Sequence, residues 1–496
     1  MPIVTNALRA LAATLALSIA APLAAWEDHD QLTALALADE AWASQTVAAE
    51  TLEAFLEAEK AGLAELLAAT ELRARKELDF YRPLPDGLAL RGGESGSELR
   101  AAFLRSIRVN PKIPLALFVQ VPAYATHTRP DLPLSAVDLY ESRIPNGPFE
   151  ALGIGEKVAL REVIAAASDE PDYGMDIGLY AENGTEAGKV YGFGRQPFGN
   201  PALTYGSQAP FHMAFAREDP LIKAFAPFTR ESLLAYRVMV YEALARYALG
   251  KNHPYWGWRF AGWAIHYIED LSQPYHASLL PGLGTFRILA LNVFGSAKDK
   301  QDALVFLSNR HIVIEDYLYG AMAAFEGPGS PGAAASPVYD ALRGSGSYAG
   351  PRMPEWRDAY EYDVIARRAY ERGGALDGML AVSFPKKYVS DPSYDYGARN
   401  FGATREYDPF ARLRADDSSA ARKLESLSAE LFADLGGSVR SFAAFVRGGV
   451  ATVPPRKPAF DFRGPLYALV AALVVAALAI SAIALSRLKR RKGEKR

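Results

Sequence analysis

The chain has 496 residues, of which 50% are hydrophobic and 11% aromatic, with a formal charge of −3 and no cysteine. That length can bury a large core, and the missing cysteines exclude disulfides, zinc–thiolate sites, a thiol nucleophile and a lipid-modified N-terminal cysteine. Setting aside Arg9 and the seven basic and one acidic residues of 487–496 leaves 46 Lys+Arg against 56 Asp+Glu, a balance of −10 that argues against a polyanion-binding surface.

In chain order, the first segment reads as an export signal, residues 1–25. Met1–Arg9 carries one positive charge, Ala10–Pro22 is apolar, and Leu23-Ala24-Ala25 places small residues at the cleavage positions. Cleavage after Ala25 makes Trp26 the first mature residue, at the head of WEDHD; taken alone, that tryptophan is an apolar anchor. Residues 30–76 predict helix, since Ala, Leu, Glu and Lys dominate and no Gly or Pro occurs before Gly62. Residues 82–97 predict a loop, 97–108 a helix, and a Pro-rich irregular stretch follows to about 155. Glu156–Ala167 predicts helix, and 182–210 has no clear period. Helices are expected at 219–250, 255–271 and 300–325, a Gly/Ser/Pro-rich break at 327–354, and further helix at 355–381 and 417–447. The class is mainly α.

The last segment predicts a membrane helix. Leu466–Ser486 has no charge and matches the roughly 20 residues needed to span a bilayer. The basic RLKRRKGEKR that follows is of the kind kept on the cytoplasmic side. The expected organisation is a signal at 1–25, a catalytic domain at 26–325, a helical extension at 326–453, a linker at 454–465, a single membrane helix at 466–486 and a cytoplasmic tail at 487–496. The ectodomain then lies in the periplasm or outside the cell; a processed sorting tail is the alternative reading of the C-terminus.

Chemistry concentrates in WAIHYIEDLSQPYH, residues 263–276. His266 and Asp270 are four apart and share one helix face. Pro274 ends the helix, so His276 can return to the same site from the following turn. His311 and Glu315 repeat the i, i+4 arrangement on another helix. One such pair is ordinarily a helix ion pair. Two pairs with His276, in a chain of seven histidines, point to a metal site, and imidazole with carboxylate suits zinc where thiolates are absent.

HYIEDLSQPYH resembles the H-Y-x-x-D-x-x-Q-P-x-H signature of the bacterial zinc-dependent phospholipases C, and the downstream H-x-x-x-E is similar to that family's next element. The resemblance implies the helical fold shared with the fungal single-strand nucleases and three zinc ions. It also implies that the amino group and carbonyl of a mature N-terminal tryptophan bind metal, so that signal cleavage at Trp26 completes the site. Carried over by position, one zinc would take Trp26, His29 and Asp270. A second would take Asp172 (in EPDYG), His212 (in APFHMAF), His266 and Asp270, with Asp270 as the bridge. The third would take His276, His311 and Glu315. Asp172 would orient or deprotonate the attacking water, or act as a plain ligand; Tyr173 would line a headgroup pocket by cation–π contact.

The chain departs from the pattern in three ways. His29 follows Trp26 by only three residues. Asp172 to His212 spans 40 residues and His276 to His311 spans 35, which implies insertions bordering the site. Glu269 stands where a glycine is usual. The expected activity is phospholipase C, releasing diacylglycerol and a phosphorylated headgroup. The alternatives are a single-strand nuclease on the same fold, or a non-enzymatic zinc-stabilised surface protein. His127 and His253 are left without a role.

Overall fold

The computed structural model describes residues 28–122, 126–140, 147–201, 204–324, 337–399, 406–416 and 418–448. Trp26, the signal segment, the linker at 454–465, the 466–486 run and the basic tail lie outside the described residues. Among those described, no helix is long and apolar enough to cross a membrane.

Helices dominate. Thirteen of those in the described residues are, in chain order, α1 (His29–Ala36), α2 (Leu52–Glu77), α3 (Gly96–Ser106), α4 (Leu160–Asp169), α5 (Ala209–His212), α6 (Leu234–Gly250), α7 (Pro254–Ser272), α8 (Pro274–Ala277), α9 (Thr285–Phe294), α10 (Ala297–Ala323), α11 (Pro337–Arg343), α12 (Arg367–Ser383) and α13 (Ser419–Arg447). Local sequence explains several ends. The Thr51 side chain accepts from the Ala54 amide at the start of α2, and Arg75 and Lys76 close its last turn against the helix dipole. Ser296 and Asp299 form a reciprocal capping box on α10.

Among the described residues, five short strands accompany the helices. β1 (Thr46–Ala48) pairs antiparallel with β5 (Lys157–Ala159), Val47 opposite Val158. β2 (Phe118–Gln120), β3 (Asp131–Leu132) and β4 (Phe149–Ala151) form a sheet in the order β2-β4-β3. The helix expected over 30–76 is thus two helices separated by a turn and β1. The expected irregular stretch to 155 contains a sheet, and the helix expected from Glu156 begins only after β5. In each case an interstrand ladder supplies backbone hydrogen bonds that helix would have supplied locally.

The centre of the molecule is α7, in which every residue from Tyr255 to Ser272 is buried. A helix that is apolar nearly all round belongs inside a core, and α4, α6 and α13 pack around it. Gly262 sets the closest approach. A Cβ there would lie 2.5 Å from Ala167 Cβ and 2.7 Å from the Ile164 carbonyl of α4. Gly262→Ala is therefore expected to cost about 1–3 kcal/mol by overpacking, read as a lower urea midpoint; an unchanged midpoint would mean that α4 and α7 are not in this contact.

The boundary expected at 325/326 is not a packing boundary. Leu342, Leu376, Phe432, Val439 and Phe442 belong to the same apolar core as Leu32, Trp256 and Phe260. Arg440 of α13 donates to the carbonyls of Ala36 (2.9 Å) and Leu342 (2.7 Å), and Arg343 pairs with Asp39 at 2.7 Å. Residues 337–448 thereby brace α1. The Gln31 side chain adds a 3.1 Å bond to the Met322 carbonyl at the end of α10.

Candidate metal centre

Five helices and one turn deliver side chains to one buried place. The core helix α7 carries His266, Glu269 and Asp270. Pro274 stops it: Gln273, the residue before proline, is extended at φ −80° and ψ 123°. The Gln273 carboxamide oxygen accepts from the Tyr275 amide at 2.6 Å and caps α8, which presents His276. The same carboxamide donates to Glu315 Oε1 of α10 at 3.1 Å. His29 begins α1 after Asp28, whose φ of +67° is rare for a non-glycine. The turn after α4 supplies Asp172, and α5 ends on His212.

All eight described residues expected as ligands come together. His29, His266 and Asp270 form one group, Asp172, His212 and His266 a second, and His276, His311 and Glu315 a third, with candidate ligand atoms of each within 4.8 Å of one another and every member buried. His212 Nδ1 and His266 Nε2 lie 2.8 and 3.3 Å from Asp270 Oδ2. Asp172 Oδ1 is 3.8 Å from each of those two nitrogens. His311 Nε2 is 2.7 Å from Glu315 Oε1 and His276 Nε2 is 3.9 Å from it. His266 belongs to both the first and the second group, and Asp270 reaches both through separate oxygens, with Oδ1 at 3.5 Å from His29 Nε2.

The donor set fits metal ions. His29 Nε2, Asp270 Oδ1, His276 Nε2 and His311 Nε2 are buried without a hydrogen bond, and buried polar atoms in that condition need a partner. Contacts at the opposite edge or face of the rings fix how the imidazoles of the cluster are oriented. His266 Nδ1 lies 2.8 Å from the Ser168 carbonyl and His276 Nδ1 lies 3.1 Å from the His212 carbonyl. Tyr275 stacks on His311 at 5.5 Å, and its hydroxyl donates to Asp377 at 2.9 Å. Such partners fix the tautomer and orientation of a ligand imidazole.

Sequence reasoning missed Asp176, Arg237 and Thr33, which help to hold this arrangement, and marked Glu269 only as a departure from the pattern. Asp176 Oδ2 lies 3.4 Å from His212 Nε2, and Asp176 itself accepts from Arg237 Nε at 2.9 Å and the Tyr267 hydroxyl at 2.6 Å. Glu269 reaches His29, and Thr33 reaches Glu269. The i, i+4 spacing that singles out His266 and Asp270 also links Asp172 to Asp176 and His29 to Thr33.

Tyr173 does not present a free ring. It is buried in an apolar cluster with Phe118, Val137 and Phe149, edge-on to Phe149 at 5.7 Å. Its hydroxyl is 2.7 Å from both Gln120 Oε1 and Asp169 Oδ2. The expected headgroup contact is replaced by core packing, because the tight turn after α4 points Asp172 and Tyr173 to different neighbours. His127 is half-exposed near Asp131, and His253 pairs with Glu50 at 2.8 Å. A cavity of about 540 Å³ lined by Tyr348, Trp356 and Arg440 contains none of the clustered residues.

Burial and charge divide the five imidazoles. Burial opposes protonation of His29, but the neighbouring carboxylates of Asp270 and Glu269 outweigh it and hold its pKa well above the ordinary value. For His212, burial is likewise overcome, chiefly by the charge of Asp270 and the bond to Asp176, and the pKa rises to about 10. Burial, with the positive charge of His29 nearby, lowers His266 to about 3. Burial lowers His276 to about 4 and His311 well below its ordinary value. At pH 7 the metal-free cluster therefore holds protons on His29 and His212 that a ligating nitrogen cannot keep. Loading it with a divalent cation is expected to release about two protons per chain, read with an indicator in weak buffer, and the apparent affinity should climb from pH 6 to 8. Loading without proton release would show that these nitrogens are not ligands. Set against protein-family models, curated proteins and solved structures, the chain matches none of them.

Proposed function

We propose that this chain is a zinc-dependent phosphodiester hydrolase, exported and held at a membrane by residues 466–486, with phospholipids as its substrates. The observation that carries the reading is the convergence of five histidines with Asp172, Asp270 and Glu315 in three buried groups, two of which share His266. Nitrogen and carboxylate donors without thiolate suit zinc. Together with Trp26 at the processed N-terminus, His29, Asp172, His212, His266, Asp270, His276, His311 and Glu315 would hold three ions.

Zinc bound there would neutralise phosphate oxygens and make a water acidic enough to attack near neutral pH. The side chains do the rest. Asp270 divides its two oxygens between the His29 side and the His212–His266 side and so sets the spacing of the groups. Asp172 is the most solvent-accessible of the eight described residues, at 5%, and Gln208 Nε2 lies 3.5 Å from its Oδ1. A carboxylate so placed can orient an attacking water and take its proton. No serine nucleophile is required.

The test uses the full chain purified in detergent, with metal content measured beside hydrolysis of phosphatidylcholine and of single-stranded DNA. About three zinc ions per chain with lipid cleavage supports the proposal. Zinc with DNA cleavage alone transfers the chain to the nuclease reading, zinc with neither activity favours a zinc-stabilised scaffold, and absence of zinc overturns the metal reading altogether.

A further inference from the structure

We propose that Glu269 and Thr33 act as a paired positioning device for His29, turning its Nε2 toward the metal ion shared with His266 and Asp270. The proposal rests on the metal reading above and adds two residues to it.

The geometry is a clasp between two helices. From α1, His29 and Thr33 are four residues apart and share a face. From α7, Glu269 stands beside Asp270. Glu269 Oε2 is 2.7 Å from His29 Nδ1, and Thr33 Oγ1 donates to Glu269 Oε1 at 2.8 Å. Each carboxylate oxygen thus has its own partner on α1. With Nδ1–H donated to Glu269, loss of the second ring proton on metal loading leaves the lone pair on Nε2, which has no hydrogen bond and lies 3.5 Å from Asp270 Oδ1. The His29 ring sits 4.1 Å from that of His266, centroid to centroid. His29, Thr33 and Glu269 are wholly buried, so water does not compete for these bonds.

A carboxylate on the far nitrogen of a ligand imidazole fixes its tautomer and raises its basicity, and loss of such a partner typically costs 10–100-fold in metal affinity. Here the effect belongs to one ion of the three. Both oxygens of Glu269 are directed to His29 and Thr33 on α1, so the third group, His276, His311 and Glu315, should be indifferent to it.

The experiment titrates zinc into the metal-free full chain in detergent against a competing chelator, for wild type, Glu269→Gln, Thr33→Val and Thr33→Ser, with the melting temperature of each metal-free protein as control. The wild type should bind three ions. Glu269→Gln should weaken one of them by 10–100-fold and leave the others unchanged, Thr33→Val should weaken the same ion by a smaller factor, and Thr33→Ser, which keeps the hydroxyl, should match wild type. Three ions bound by Glu269→Gln with wild-type affinity would overturn the proposal. Equal weakening of all three, tracking a lowered metal-free melting temperature, would also overturn it by showing a purely structural role. Should Glu269→Gln fail to fold, Thr33→Val decides in the same two directions. A wild type that binds no zinc sinks the metal reading and this inference with it, an outcome distinct from three wild-type affinities in Glu269→Gln, which overturns this inference alone.

Discussion

Asp270→Asn should abolish tight loading of two of the three ions and lower phosphodiester hydrolysis by about 10³-fold or more, the equivalent of the several kcal/mol that Lewis-acid stabilisation supplies. The size follows from position. Asp270 is fully buried on α7, and its two oxygens serve different imidazoles, Oδ2 facing His212 and His266 while Oδ1 faces His29. Asparagine keeps the shape and one acceptor but loses the charge, so the spacing survives while the bridge does not. Burial would push the Asp270 carboxyl up, yet its histidine neighbours hold it well below the usual range. Removing it should therefore release the protons that it keeps on His29 and His212. The checks are metal content and activity of the purified variant. Three ions retained with wild-type turnover would show that Asp270 bridges nothing.

Arg237→Met should be the most destabilising single change outside the cluster, at about 3–5 kcal/mol, because it leaves a buried carboxylate without its counter-charge. Arg237 on α6 is fully buried. It donates to Asp176 Oδ1 through Nε (2.9 Å) and Nη2 (2.5 Å), and to the carbonyls of Ile107 (2.7 Å) and Arg108 (2.9 Å). Burial favours the neutral acid at Asp176, but the Arg237 charge outweighs it and depresses the pKa. That contribution to stability is present above the unfolded value of about 3.9 and is lost as pH falls through the lower folded value. Urea denaturation of metal-free protein should show the loss at pH 7, and Arg237→Met with Asp176→Asn should cost less than the two separate changes added together. Additive costs would show that the pair is not coupled. Asp176 faces His212 Nε2 at 3.4 Å, so the variant should also weaken metal binding at the group containing His212.

Much of the candidate centre is legible in the amino-acid sequence, and the reason is geometric. Helical periodicity is local, so spacing alone places His266 with Asp270, and His311 with Glu315, on common faces, and marks Pro274 as the stop that returns His276. Resemblance extends this to His29, Asp172 and His212, which the fold brings into the same buried place. The helical character of the chain and the long helices α2, α7, α10 and α13 are legible for the same reason, being written in composition and periodicity over many residues.

Other features have no local signature. β1 exists because Thr46–Ala48 meets Lys157–Ala159, and a three-residue ladder across more than a hundred positions leaves no period in the sequence. The division at 325/326 reads as a domain boundary because Gly, Ser and Pro accumulate after it, yet α11, α12 and α13 complete the core that holds α1. Tyr173 adjoins Asp172 in sequence and is carried by the backbone to Phe149 and Gln120 instead. Glu269 visibly stands where a glycine is usual, but nothing local shows that it meets His29, 240 residues away. Residue type and spacing decide what a side chain can do; which partner it meets, and so whether a buried charge is a ligand, a brace or an anchor, is settled only when helices distant in the chain pack together.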